Sequence, residues 1–358
     1  YINMLGSLTH NDYQDLIYFK NICEYSNINQ IQPASFDLTL SDECYEINSS
    51  FLSPNTNVRE KLNSFSINKF DINKNKIFYK NKIYIIRLNE KLNLSKNIGG
   101  NCNPKSSTGR LDIFCRVILD YCDEYEKIPI NYNGEIFLEI TTRSFNIKLN
   151  EGDSLNQMRL FYNNPNYIID ADMVSISKKE HFIFDYKNQA MKPAIDGGIK
   201  VSVDLSSKNE INAFVAKKNA PILIFNKKKF HKISDYWNQI NLTNNFITIE
   251  KNKFYILKSK EKIRIPKNMA AEMMPYDTSI GDFRVHYAGF FDPGFGDPNG
   301  SFGVLEVKTN EVPFMLEDNQ TIARIKYEKL NKASSVVYGN QINSNYQNQG
   351  LTLSKHFY

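Results

Sequence analysis

The sequence is short of the features that would place it quickly. It has one tryptophan, five histidines and five cysteines among 358 residues. The cysteines, Cys23, Cys44, Cys102, Cys115 and Cys122, are odd in number, and no pair is spaced C-x-x-C. That argues against a disulfide framework or a zinc knuckle and points to a reducing cytoplasm. No apolar run reaches eighteen residues, so no membrane span is expected. The opening stretch "YINMLGSLTHNDYQDLI" lacks the basic-then-apolar layout of a signal peptide. It reads as a short helix capped by Thr9 or Asn11. Nor is there a large surplus of one charge: 44 Lys and Arg face 39 Asp and Glu, a net of +5. That balance is too mild for a nucleic-acid-binding tail but suits a small polyanionic ligand.

What remains is a chain that can build real cores, with 41% hydrophobic and 23% charged residues. Short runs such as "KIYIIRL", "EIFLEIT", "FITIE", "KFYILKS" and "FGVLEVK" are β-branched and aromatic, and turn residues separate them. Helical patterns are few: one near the N-terminus, one around Asn57 to Phe65, and one around Lys232 to Ile240. The profile is mainly β with a few accessory helices.

The chain also resembles itself. "LEITTRSFNIKLNEGDSLNQMRL" from Leu138 aligns without a gap on "LEVKTNEVPFMLEDNQTIARIKY" from Leu305. Glu139 falls on Glu306, 167 positions later (306 − 139). "ASFDL" and "VSVDL" repeat the offset, Asp37 falling on Asp204. Agreement at both ends argues for two copies of one β-domain. The expected organisation is a first domain over 1–165, a linker over 166–197 containing a possible strand "HFIFDY", a second domain over 198–330, and a tail over 331–358.

One segment raises a chemical question. "NPKSSTGRLDIFCRV", from Asn103 to Val117, is either a surface turn leading into a strand or a grip on phosphate. In the second reading Lys105 and Arg110 supply charge, Ser106 and Ser107 supply short donors, and Gly109 supplies the turn. In "HYAGFFDPGFG", Asp292 can accept from a sugar hydroxyl. Phe290, Phe291 and Phe295 can wall an apolar pocket; the plainer reading is a tight Asp-Pro-Gly turn.

Taken in order, "IQPASFDLTL", "PKSSTGRLDIF", "GEIFLEI", "NEGDSLNQMRLF", "HYAGFFDPGFG", "GVLEV" and the tail "YGNQINSNYQNQGLTLSKHF" resemble the deoxycytidine triphosphate deaminase family of the dUTPase-like superfamily, in its two-domain bacterial form. The resemblance covers nearly the full length. It implies two tandem distorted β-barrels of the jelly-roll, β-clip type. It implies hydrolysis of dCTP to dUTP and ammonia, with Mg²⁺ carried by the triphosphate and no zinc. The H-x-E and P-C-x-x-C pattern of zinc deaminases is absent, and His10, His181, His231, His286 and His356 are scattered. A strand glutamate would activate the water instead, helped by a partly apolar surround that raises its pKa.

Two glutamates compete for that role, Glu139 in "IFLEI" and Glu306 in "GVLEV". The copies have diverged in complementary ways. "KSSTGR" survives only in the first, where the second reads "PYDTSIGDFRV" with Asp282 near the expected arginine. The Asp-Pro-Gly signature survives only in the second. In this superfamily neighbouring domains share a site, which implies a composite: phosphates on the first domain, nucleoside and Glu306 on the second. A homotypic assembly of first domains would use Glu139. Ser106 would orient the water or the developing oxyanion, and backbone near Tyr287 and Ala288 would read the cytosine edge. Tyr338 and the tail residues Tyr346, Gln349 and Lys355 would fold over the nucleotide. The tail is polar, short of apolar anchors and expected to be mobile without ligand. Single-domain relatives imply a homo-oligomer, with a trimer favoured, whereas a duplicated chain can close a site within itself. The rival readings are a dUTP diphosphatase, alone or combined with deamination, and a non-catalytic nucleotide-sensing module.

Overall fold

Strands dominate the computed structural model, as the β-branched and aromatic runs require. It describes residues 5–23, 27–74, 77–208, 210–274, 289–339 and 346–358, and the backbone of 284–286. Two of the expected ligand contacts, Tyr287 and Ala288, lie outside the described residues, as does Asp282.

Two sheets make up most of the first half. In one, Asn156–Tyr162 is flanked by Ile98–Pro104 on one side and by Gly6–Ser7 and Phe36–Leu38 on the other. In the other, the order runs Ser66–Asp71, Leu40–Ile47, Ile83–Asn93, Asn133–Thr142, Ile113–Leu119. The second half repeats these pairings. Thr321–Lys329 pairs with Met269–Met274 as Asn156–Tyr162 does with Ile98–Pro104. Ser301–Lys308 pairs with Phe254–Ile263 as Asn133–Thr142 does with Ile83–Asn93. The register departs from the sequence alignment at one place. Arg116 stands opposite Glu139, but Arg284 stands opposite Lys308, and His286 takes the position opposite Glu306.

The helices follow local chemistry. His10–Tyr18 begins after Thr9, whose N–H and hydroxyl donate to the Asp12 carboxylate at 2.8 and 2.9 Å. Val58–Phe65 is capped by Asn57, whose side-chain oxygen accepts from Glu60 N–H at 2.8 Å. The helix expected around Lys232 to Ile240 is one turn, Ile233–Tyr236. The chain then becomes the strand Trp237–Ile240, because Ala213–Ala216 offers it a partner. Within 166–197, the helix Asp170–Ile176 and the strand Ile183–Phe184 place Met173, Phe182 and Ile183 in the second core. This stretch is therefore packed structure, not a spacer.

The two halves are not independent. Leu223–Ile224, from the second, runs parallel to Ile147–Lys148 of the first. Phe214, Tyr236, Trp237, Phe254 and Ile256 belong to the first half's hydrophobic cluster, together with Leu353 and Phe357 of the tail. Phe357 packs edge-on against Trp237 and Tyr236, with ring centroids 5.9 and 5.3 Å apart. The tail thus has the apolar anchors that its composition did not advertise. In sequence they are two isolated residues among polar ones.

Candidate active site

The side-chain alternation of one strand explains why a glutamate sits in "GVLEV". In Ser301–Lys308, Leu305 and Val307 point into the second domain's own core. Val304, Glu306 and Lys308 take the opposite face, toward the first domain. Val304 packs against the first core, and Lys308 reaches Asp112 at 3.1 Å. In Asn133–Thr142 the parity is equivalent, but the opposite face is different. Leu138 and Ile140 fill the first core, while Phe137 joins a satellite cluster on the opposite face and Glu139 on that face pairs with Arg116.

Glu306 closes the inner end of a cleft of about 310 Å³ between the halves. It is 3% exposed, and its Oε2 has no hydrogen-bond partner among the described residues. Burial pushes its pKa well above the ordinary glutamate value. The nearby Arg110 charge offsets part of this, and Asp112 adds to it. Glu139 is equally buried but fully engaged. Its Oε1 accepts from Arg116 at 2.7 Å, and Ser50 donates to Oε2. It lines a separate depression with Arg116 and Arg143 and does not reach the Arg110 cleft.

The first domain supplies the cationic end. Lys105 begins the single turn Ser106–Gly109, held in place by Lys105 N–H and Thr108 Oγ1 donating to the Leu155 carbonyl at 2.9 and 2.8 Å. The turn presents Lys105, Ser106, Ser107 and Arg110 to the cleft and keeps Gly109 buried behind them. "NPKSSTGR" is therefore neither a surface turn nor a plain lead-in to a strand. Lys228 and Lys355 line the same end. Asp37 lies among them, in an ion pair with Lys105. Burial and the charges of Lys105 and Lys228 lower the Lys355 pKa to about 8.

The second domain supplies the apolar end. Phe290–Phe291 pairs with Glu272 and Ala271, and the chain then turns through Asp292, Pro293 and Gly294. At Gly296, φ is +71°, and a Cβ would stand 2.1 Å from the Ile263 carbonyl oxygen, so only glycine fits this turn. The turn places Phe291, Phe295 and Tyr338 in an aromatic row, with successive centroids 5.0 and 5.7 Å apart. Asp292 lies among them. Gly289 brings the hairpin close to the first domain: a Cβ there would meet the Pro104 carbonyl oxygen at 3.0 Å.

The tail roofs the cleft. Tyr346 and Ser107 share a hydroxyl–hydroxyl hydrogen bond of 2.8 Å. Arg110 donates to Gln349 Oε1 at 2.9 Å and to the Thr352 carbonyl at 3.0 Å. Gln349 Nε2 donates to the Phe302 carbonyl at 2.9 Å, so one tail residue touches both domains.

Comparison with known proteins decides the family. Residues 5–164 match the model of the 2′-deoxycytidine 5′-triphosphate deaminase N-terminal domain, and residues 169–357 match that of its C-terminal domain. The chain belongs to the 2′-deoxycytidine 5′-triphosphate deaminase family. A search of curated proteins found no match. Among solved structures, the crystal structure of 2′-deoxycytidine 5′-triphosphate deaminase from Agrobacterium tumefaciens is similar at 35% identity and a TM-score of 0.86. The match covers 91% of this chain and 99% of that one. In this deaminase-family chain, sequence reasoning missed Lys228, Gln157 and Gln32 as lining residues. Lys228 sits in "NKKKF", which reads as a solvated charge run. Gln157 was inside a quoted motif, and its strand alternation was the available signal.

Proposed function

We propose that this cleft binds dCTP and hydrolyses it to dUTP and ammonia. One observation carries the reading: a buried carboxylate oxygen with no partner among the described residues, Glu306 Oε2, stands in a cleft that is also lined by Lys105, Arg110, Lys228 and Lys355. An unpaired buried acceptor is costly and is retained where a ligand or water will use it. Four cations gathered in one cleft fit a triphosphate. Mg²⁺ enters on that triphosphate as part of the substrate. Among the described residues, no three His, Cys, Asp or Glu side chains converge as metal ligands.

In this reading Glu306 takes a proton from water as the oxygen adds to C4 of cytosine. It then delivers that proton to the departing amino group, while the second proton of the water ends on ring N3, so that ammonia leaves and the C4 carbonyl forms. Ser106 orients the water or the developing oxyanion. Asp292 accepts from the sugar hydroxyl, and the aromatic row walls the sugar. Tyr338, Tyr346, Gln349 and Lys355 close over the nucleotide and exclude water. Glu139 keeps a structural role with Arg116 and Ser50. A reducing cytoplasm, with its deoxynucleotide pool, is the implied setting, and a homo-oligomer, with a trimer favoured, is the implied assembly.

Incubation with dCTP, CTP, dCMP and dUTP, followed by assay of ammonia and pyrophosphate, tests the reading. Ammonia from dCTP is expected, with loss of rate when Mg²⁺ is withdrawn. Pyrophosphate from dUTP without ammonia from dCTP would favour the diphosphatase, and tight binding with neither product would favour a sensing module.

A further inference from the structure

We infer that Arg159, on the first domain's strand Asn156–Tyr162, is the residue that positions Asp292 for the sugar hydroxyl, an inference that rests on the dCTP reading. Arg159 is 2% exposed, and among the described lining residues it contacts Asp292, Phe291 and Phe290. All five of its N–H donors are engaged. Nε donates to the Ala34 carbonyl at 3.2 Å. Nη1 donates to the Ala271 carbonyl at 3.0 Å and to Glu328 Oε1 at 2.8 Å. Nη2 donates to the Phe291 carbonyl and to Asp292 Oδ1, both at 3.1 Å. The ring of Phe290 lies over the guanidinium at 4.2 Å.

This arrangement does two things for Asp292. It holds the carboxylate by Oδ1, so that Oδ2 accepts only from Ser35 Oγ, at 3.1 Å among the described residues, and keeps acceptor capacity for a ligand. It also supplies a countercharge that offsets part of the burial which raises the Asp292 pKa. The other carboxylate on Arg159, Glu328, is occupied by Ser7 at 2.7 Å on its second oxygen and cannot replace Asp292. A lysine offers three donors on a point charge and cannot reproduce the fork. The second copy has Lys326 at the equivalent position, 167 residues on (326 − 159), so the fork belongs to the first copy alone. Arg159 touches neither the reacting atoms nor, in this geometry, the nucleotide; it acts through Asp292.

The test measures binding in a Glu306→Gln background, so that nucleotide is not consumed. Titration calorimetry with Mg²⁺ compares dCTP with 2′,3′-dideoxy-CTP, which lacks the hydroxyl assigned to Asp292. With Arg159 present, dCTP should bind about tenfold or more tighter, the worth of a charge-assisted hydrogen bond. Arg159→Gln should bring the two affinities together by weakening dCTP alone. Arg159→Lys should leave an intermediate ratio, and it decides the matter if Arg159→Gln does not fold. A ratio unchanged in both variants, or equal weakening of both nucleotides, would reduce Arg159 to a structural pin and overturn the inference. If the protein with Arg159 binds neither nucleotide, the dCTP reading itself falls, and the inference with it.

Discussion

Arg110 and Tyr346 lie face to face, the guanidinium carbon 3.9 Å from the centre of the phenol ring. One belongs to the segment "KSSTGR" of the first domain and the other to the tail. The roof of the cleft therefore rests on a cation that, in the proposed function, a triphosphate also contacts. On that proposal ligand and tail share one anchor, so that what weakens one should weaken the other.

Arg110→Ala is expected to weaken dCTP binding by tenfold or more, in line with about 1.5–3 kcal/mol for a hydrogen bond to a charged group. Deoxycytidine, which has no phosphate, should lose much less. Calorimetry with both ligands checks this. Equal losses would make Arg110 a tail anchor and nothing else.

Glu306→Gln should lower kcat by about 10²–10⁴-fold while dCTP still binds. Glu139→Gln breaks the pairing with Arg116 and Ser50 and should cost about 1–3 kcal/mol of stability with kcat largely kept. Steady-state ammonia release and thermal unfolding on both variants separate the roles. A dead Glu139→Gln beside an active Glu306→Gln would reverse them.

Two titrations should shape the pH profile. A base acts in its ionised form, and burial raises the Glu306 pKa. So kcat/KM should climb with pH on an acid limb above the ordinary glutamate range. That shift also has a sign for stability. Between the ordinary value of 4.5 and the raised one, the folded state holds a proton that the unfolded state has lost, so stability falls as pH rises through that window. Glu306→Gln should therefore raise Tm at pH 8 and leave it nearly unchanged at pH 4. On the alkaline side, Lys355 loses its charge above about pH 8. A bound triphosphate favours the charged form, so the KM for dCTP should rise above pH 8, and Lys355→Arg should flatten that rise.

The tail can be followed directly. Trp237 is the sole tryptophan, and Phe357 packs against it. Phe357→Ala should shift Trp237 emission to longer wavelength and raise the KM for dCTP. It should cost about 3 kcal/mol, as for removal of a buried aromatic ring. Unchanged emission and KM would mean that the tail holds without this anchor. Truncation before Ser344, which lies outside the described residues, removes Phe357 as well and so tests both roof and anchor.

Much of the cleft was legible from the sequence because its motifs are local. "KSSTGR" and "FFDPGFG" each concentrate their chemistry within a few positions, and the internal repeat located both glutamates. The parity that separates Glu306 from Glu139 was not legible. Both strands alternate alike, and only the packing of one half on the other distinguishes their outer faces. Arg159 escaped notice because its partners Asp292 and Glu328 are 133 and 169 positions away, and a lone arginine in "LNQMRL" has no local signature. The helix expected after Lys232 shortened for a similar reason. Trp237–Ile240 has a helix-compatible sequence but gains more as a strand beside Ala213–Ala216.

The strand Leu223–Ile224 lies against Ile147–Lys148, and aromatics of the second half complete the first half's core. Severed at the junction between them, each half would present to water a surface that the intact chain never exposes. Duplicated genes ordinarily remain free to part, but these two copies have become a single folding unit. That bond gives each copy licence to discard what the other keeps: "KSSTGR" in one, the Asp-Pro-Gly turn in the other.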